Sequence, residues 1–577
     1  VTHPKGTRAR VLLTSVFGPY TQDDEYGSRL INPMELYHNQ VTREQGPFSI
    51  RMSHRSWGIM LIQENISAPS TVLDFPTRER FIEEITAQTY DVIGISGIVV
   101  NVGKVREMCR LARKHAPGAQ IVVGGHVPAV PGIDTIVDAD HFVRGDGISW
   151  FRAYLGEPAG EPIKHPIVPS SFGNRLMGIR GPRGMGNPAA TIIPSVGCPL
   201  GCNFCTTSAF FGGKGNFLNF YDRGEDLFRV MCESEAKLGA SCFFMMDENF
   251  LLYRKRAIEL LDLMKEHKKA WSMFVFSSAN AVAKYTMREL VELGIVWVWL
   301  GLESPQSGYI KLHGADTRAL THELQSHGIR VQGSTIIGLE HHTPENIAAE
   351  IEHAVSHAAD CHQFMLYTPV PGSPLYTQME SEGRLLTDIE LADIHGQSTF
   401  NFRHAALPAE SAKPLLDGAF RLDYERNGPS MFRLMETMMR GWRRYHDDAD
   451  PRVRARFAIE GRQLASGYGA ALYAMERYLR RSNREVSDRI RALRLDIEST
   501  FGTTARLMDR VVGPVLHWAA RLDARLFPHG RALEPETFVD RRNWSVMPDR
   551  RKSAAGAVSG AKQGEIAPAS PLPLPVA

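Results

Sequence analysis

Twice along this chain, short unbroken runs of Val, Ile and Leu alternate with stretches whose apolar residues recur at helical spacing. Unbroken apolar runs mark strands buried on both faces, and the intervening helices impose parallel crossovers, so little fits the pattern besides two parallel α/β units. In the first unit, residues 1–165, "RVLLTSVF", "STVLDF", "YDVIGISGIV", "AQIVVGGHVP" and a short "DHFVRGDG" predict strands, with "TRERFIEEITAQ" and "VGKVREMCRLARKHAPG" as helices between them. Such a sheet binds ligands beyond the carboxyl ends of its strands, where Ser96, Gly97, Gly124, Gly125, Gly145 and Asp146 fall. Residues 18–68 form a long insert after the first strand, and its "SHRSWGIMLIQENI" reads as ordered without a place in the sheet.

Residues 166–188, rich in Gly and Pro, read as a linker. The second unit, residues 189–400, predicts strands at 190–196, 241–246, 272–277, 295–301, 330–337 and 362–368. Six strand–helix units are two short of a closed eightfold barrel, so a partial (β/α)6 barrel, open on one side, is expected. Residues 401–550 read as an all-helical domain, and 551–577, with no aromatic residue and many Ala, Ser, Gly and Pro, as a disordered tail.

Bulk properties narrow the function. A formal charge of +2 over 577 residues gives no global attraction to nucleic acid or an anionic surface. No apolar run reaches the roughly 20 residues that span a bilayer, and the N-terminal stretch shows no signal-peptide pattern. Seven cysteines, four of them scattered, suit a reducing, cytoplasmic setting rather than a disulfide framework.

The other three, Cys198, Cys202 and Cys205, lie in "SVGCPLGCNFCTTS", spaced C-x3-C-x2-C directly after a strand. Structural zinc takes four ligands, commonly in two pairs, and no second C-x2-C pair exists. A C-x3-C-x2-C loop directly after a strand suits an iron–sulfur cluster better than zinc, and three thiols leave one position open. The triplet, with Phe204 before its last cysteine, resembles the radical S-adenosylmethionine superfamily. There, three cysteines hold a 4Fe–4S cluster whose open iron binds S-adenosylmethionine, and electron transfer yields a 5′-deoxyadenosyl radical.

The resemblance extends along the second unit. "FFMMDENFL" sets Asp247, Glu248 and Asn249 where the family binds the methionine amine, and "VWLGLESP" sets Glu303 near the ribose. "GSTIIGLEHHTPE", with Gly333 and Gly338, resembles the segment beside the adenine, and "YTPVPGSPLY" the sixth-strand ending. The first unit resembles the flavodoxin-like (Rossmann-type) cobalamin-binding domain of the class B radical S-adenosylmethionine methyltransferases, with Ser96, Gly97, Gly124, Gly125, His126 and Gly145 as expected corrin contacts. The D-x-H-x-x-G motif of other cobalamin enzymes is missing, which argues against histidine as the lower cobalt ligand; a solvated loop position is the other reading of His126.

The resemblance implies three cofactors (4Fe–4S cluster, S-adenosylmethionine and cobalamin) and methylation of an sp3 carbon in a hydrophobic biosynthetic intermediate. Radical ring formation or rearrangement with the same cofactors is the alternative, and a flavodoxin or ferredoxin the expected electron donor. In the helical part, arginines interleave with aromatic residues, which reads first as an amphipathic bundle and second as nucleic-acid binding. Leu434, Met435, Met438 and Met439 suggest a greasy substrate channel.

Overall fold

The computed structural model describes residues 1–18, 25–32, 35–52, 54–170, 175–176, 179–180, 189–527 and 536–544. The first unit is a sheet of β1 (Val11–Ser15), β2 (Ser70–Asp74), β3 (Val92–Gly97), β4 (Gln120–Gly125) and β5 (His141–Phe142), paired in parallel in the order β2-β1-β3-β4-β5. This is the flavodoxin-like order, whose switch point puts a crevice at the ends of β1 and β3. Leu12, Ile93 and Val123 pack on one side with the Val102–His115 helix, and Leu13, Val72 and Val122 on the other with the Trp57–Glu64 and Gly147–Tyr154 helices.

The second unit is a six-stranded parallel sheet of β6 (Ala189–Ile192), β7 (Cys242–Met245), β8 (Ser272–Ser277), β9 (Ile295–Gly301), β10 (Arg330–Ile337) and β11 (Cys361–Leu366), paired in chain order. Its outward residues, among them Met273, Val275, Val298 and Leu300, are sealed under helices in the largest core. The alternate, inward residues of β8 and β9 keep accessible surface, and they are large: Phe274, Phe276, Trp297 and Trp299. They stack across strands, Phe274 on Trp297 at 5.1 Å and Phe276 on Trp299 at 4.8 Å between ring centres, and Phe244 of β7 joins them at 4.9 Å from Phe274.

The insert after β1 divides between the two units. The turn Tyr37–Val41 enters the barrel side, where the Tyr37 hydroxyl donates to Gln332 at 2.8 Å and the Gln363 amide donates to Gln40 at 3.0 Å. The Trp57–Glu64 helix instead covers the first sheet.

Helices from Ala412 to Leu526 follow, and the run of helices expected through residue 550 ends there. Residues Phe538–Arg542 form a strand, β12, antiparallel to β2, which makes the first sheet six-stranded. Its mix of Phe and Val with Asp and Arg fits an edge strand, half exposed and charged. Met435, Met438 and Met439 pack with Ala470, Leu472 and Met475 inside the helical core, so they do not line a channel. Only Leu434 of that group reaches the barrel, beside Trp297 and Tyr37. The proposed tail, 551–577, lies outside the described residues.

Candidate functional site

The cysteine loop leaves the first barrel strand through a short hairpin, Ser195–Val196 against Leu218–Asn219. Gly197 and Gly201 both have positive φ, and a Cβ on either would strike Phe211 or the Lys214 backbone. The loop is closed by Cys205 N–H donating to the Cys202 carbonyl at 3.0 Å and by the Ser208 hydroxyl donating to the Cys198 carbonyl at 2.6 Å. Burial pushes all three thiols up, Cys198 to about 11, so only a bound cation or cluster would hold them as thiolates near neutral pH.

Among the described residues, the sole set of three histidine, cysteine or acid side chains with ligand atoms within 4.8 Å of one another is His341, His342 and Glu350. His342 is not free to ligate, because its Nδ1 accepts the Gly338 and Leu339 N–H groups at 2.9 and 3.2 Å and the proton stays on Nε2. The three cysteine sulfurs do not all lie within 4.8 Å of one another, so they are not gathered around a single ion.

Two carboxyl groups with an orphaned oxygen flank the loop. Glu248 Oε2 is buried without a partner, and burial raises this carboxyl to about 8, with Asp247 adding to the rise and backbone N–H bonds opposing it. Glu303 Oε2 is likewise buried and unpartnered, while Oε1 accepts from Lys311 Nζ at 2.6 Å. A buried carboxyl oxygen left open is a strong receptor for an ammonium or a hydroxyl. The residues present therefore fit S-adenosylmethionine, which carries both.

Lys311 had no signal in the sequence beyond being a lone loop lysine. Its ammonium lies 5.5 Å from the Phe204 ring centre and favours the thiolate forms of Cys202 and Cys205. Phe204 itself stands edge-on to Tyr309 at 5.2 Å and packs on the barrel's outer core.

Four expected contacts have other work. Asp247 is sealed: Oδ2 accepts from Arg256 at 2.6 Å and Ser195 at 2.8 Å, and Oδ1 accepts from Asn249 N–H at 3.0 Å, so it braces the loop instead of receiving an amine. A Cβ on Gly333 would meet Leu302 Cδ1 at 2.5 Å, on the helix-facing side of its strand, so packing accounts for that glycine. Gly97 is similar, its Cβ falling 2.8 Å from Val105 of the covering helix. Gly338, at φ +84°, makes the turn that ends β10 under Phe400.

An open cavity of about 180 Å³ lies at the carboxyl ends of β1, β3 and β4. Ser96, Gly124, Gly125, His126 and Gly145 line it from the first unit, and Val196, Phe210 and Phe220 from beside the cysteine loop. No atom lies within 4 Å of where a Cβ would sit on Gly124 or Gly145, so the glycines leave the space open for a ligand. His126 is not a solvated loop residue. Its ring packs 4.8 Å from Phe210, burial lowers its pKa, and Nε2 is buried without a partner. The open, mainly apolar floor suits one face of a corrin ring laid against it, as cobalamin would present. Gly124→Leu, at a position whose backbone suits any residue, is expected to fold normally and to weaken corrin binding at least tenfold, read from the corrin absorption that stays with the protein.

The comparisons agree with this geometry. Residues 62–155 match the B12 binding domain, and residues 192–354 the radical SAM superfamily. The bacteriochlorophyllide d C-8(2)-methyltransferase of Chlorobaculum tepidum is 23% identical over 350 residues, 57% of this chain and 75% of that protein. The hopanoid C-2 methylase of Rhodopseudomonas palustris is 24% identical over 352 residues, 58% of this chain and 63% of that protein. A solved structure of the radical S-adenosylmethionine methyltransferase TsrM from Kitasatospora setae, with cobalamin and a 4Fe–4S cluster bound, aligns over 78% of this chain and 98% of its own at 16% identity and a TM-score of 0.49. A B12 binding domain followed by a radical SAM domain, each with a site that suits its cofactor, is the arrangement of the cobalamin-dependent radical S-adenosylmethionine methyltransferases that this chain resembles.

Proposed function

We propose that this enzyme methylates an sp3 carbon of a hydrophobic biosynthetic intermediate. The observation that carries the reading is the inner wall of the barrel, where Phe244, Phe274, Phe276, Trp297 and Trp299 form a stacked aromatic surface. Aromatic side chains with accessible surface inside a protein are ready to cover an apolar ligand. The relatives named for a bacteriochlorophyllide and a hopanoid support the same class of substrate.

When bound, the cluster with S-adenosylmethionine supplies a carbon-centred oxidant, and cobalamin supplies a transferable methyl group. In this reading Cys198, Cys202 and Cys205 hold the cluster, Glu248 receives the methionine amine and Glu303 a ribose hydroxyl. The cavity floor at Gly124, Gly145 and His126 takes the corrin. Lys311 orients Glu303 through its hydrogen bond to Oε1, and the turn carrying Tyr37 and Gln40 packs beside β10 and β11. Electrons would come from a flavodoxin or ferredoxin in the cytoplasm; no helix among the described residues is long and apolar enough to cross a membrane.

The test is anaerobic reconstitution with S-adenosylmethionine labelled in its methyl group and an apolar extract of the producing cells. About four irons and one corrin per chain, with label in a product one methyl group heavier, is the expected result. Formation of 5′-deoxyadenosine with an unlabelled, isomeric or cyclised product would replace methyl transfer by ring formation or rearrangement.

A further inference from the structure

The Thr503–Leu526 helix has two faces with different partners. Ala505, Asp509, Gly513, Leu516 and Ala520 are buried against the helical domain. On the opposite side Leu507, Val511, Val515, Trp518, Leu522 and Leu526 recur at spacings of three and four, and five of the six are more than half exposed, Trp518 at 67%. At about 1.5 Å per residue the helix is roughly 36 Å long, so this is an apolar strip along the whole of a long rod. A single exposed Leu needs no explanation, but a continuous strip does.

The strip has a charged border. Arg506, Arg510, Arg521 and Arg525 are exposed along one side of it, and none makes an ion pair among the described residues. The helix's acids are elsewhere: Asp509 is buried and paired with Arg494, and Asp523 lies toward the packed side. The outer face thus combines apolar side chains with unopposed positive charge.

We propose that this face docks on the surface of an anionic phospholipid bilayer, the helix lying in the headgroup plane with the apolar strip in the acyl boundary. Charge decides between the occupants. A second copy would set four arginines against four arginines with no acid to separate them, whereas helix pairs are matched by opposite charges at such flanking positions. Anionic headgroups complement the arginines, and Trp with Leu and Val beside Arg is the composition of a helix that lies in a membrane interface. The overall charge of +2 hides this, because the acids are spent elsewhere on the molecule. The inference does not depend on the cofactor assignments.

Flotation of the whole chain with vesicles tests it. Phosphatidylcholine containing phosphatidylglycerol is expected to bind on the order of several hundredfold more strongly than phosphatidylcholine alone at low salt, since each of the four arginines near the surface contributes about fivefold. Added salt should erode most of that difference. Trp518→Glu with Leu522→Glu, and separately Arg510→Glu with Arg521→Glu, should each reduce binding at least tenfold while circular dichroism and melting temperature stay unchanged. Equal or absent binding to both vesicle types overturns the proposal. So does a wild-type dimer that the Glu variants convert to monomer, which would assign the face to a second copy. If the full chain fails to bind but a chain ending at residue 550 does bind, the C-terminal segment is the occupant and the proposal again falls.

Discussion

Glu248→Gln is expected to stabilise the cofactor-free protein at pH 8.5 while abolishing most of its affinity for S-adenosylmethionine. Burial raises the Glu248 carboxyl from 4.5 to about 8, so between those values the folded chain holds a proton that the unfolded chain releases. Stability from this group is therefore intact below about pH 4.5 and lost as pH rises toward 8. Glutamine has no proton to lose. The gap between variant and wild type should be near zero at pH 4.5 and reach on the order of 3–5 kcal/mol above pH 8, at about 1.4 kcal/mol per unit. Denaturant unfolding of both apo-proteins at the two pH values measures it. Calorimetry on the reconstituted enzymes should show binding of S-adenosylmethionine weakened at least about tenfold, as loss of one charge-assisted bond implies. Equal stability at both pH values would mean that Glu248 ionises freely and is not the buried, open receptor described here.

The second large effect is expected at Arg256, whose guanidinium is 2% exposed and pairs with Asp247, 1% exposed. The same guanidinium reaches the Tyr221 carbonyl at 3.3 Å and lies over the Phe250 and Tyr253 rings. It ties together the segments on either side of the cysteine loop. Arg256→Met leaves Asp247 as a buried charge without its cation and should cost about 3–5 kcal/mol. Replacing both, Asp247→Leu with Arg256→Met, should recover much of that loss, because the desolvation of two ions disappears with them. A single variant within 1 kcal/mol of wild type would show that the pair carries no structural weight. Iron content after reconstitution gives the functional counterpart, with the single variant expected to hold less cluster than the double.

The strands at 272–277 and 295–301 are legible to the residue, since each is an apolar run ended by Ser277 or Gly301, and 330–337 is legible from Val331 and the Ile336–Ile337 pair before the turn at Gly338. The cysteine triplet and the two acidic strand ends are legible because loop chemistry is local. What could not be read depends on distant partners. Tyr37 is buried by Gln332, 295 residues away, and nothing near "ELYHNQV" announces that. Lys311 gains meaning only from Glu303 folding back across a loop. Asp247 and Glu248 are neighbours of the same chemistry, yet one faces Arg256 and the other faces the site, which alternation along an unknown loop does not reveal. Gly97 and Gly333 look like ligand-facing glycines and are explained instead by a valine and a leucine.

The antiparallel pairing of β12 with β2 has a consequence for biosynthesis. The edge of the first sheet is completed by residues 538–542, more than 460 residues after the strand they cover. During translation at about 5–20 residues per second, the nascent sheet would stand with β2 unprotected for tens of seconds while the barrel and the helices emerge. Open strand edges recruit other chains. A protein cut before residue 536 should therefore reach inclusion bodies more readily than the full chain, and slowed elongation in the last third of the message should lower its soluble yield. The corrin-binding half, although first off the ribosome, is among the last parts of the molecule to be finished.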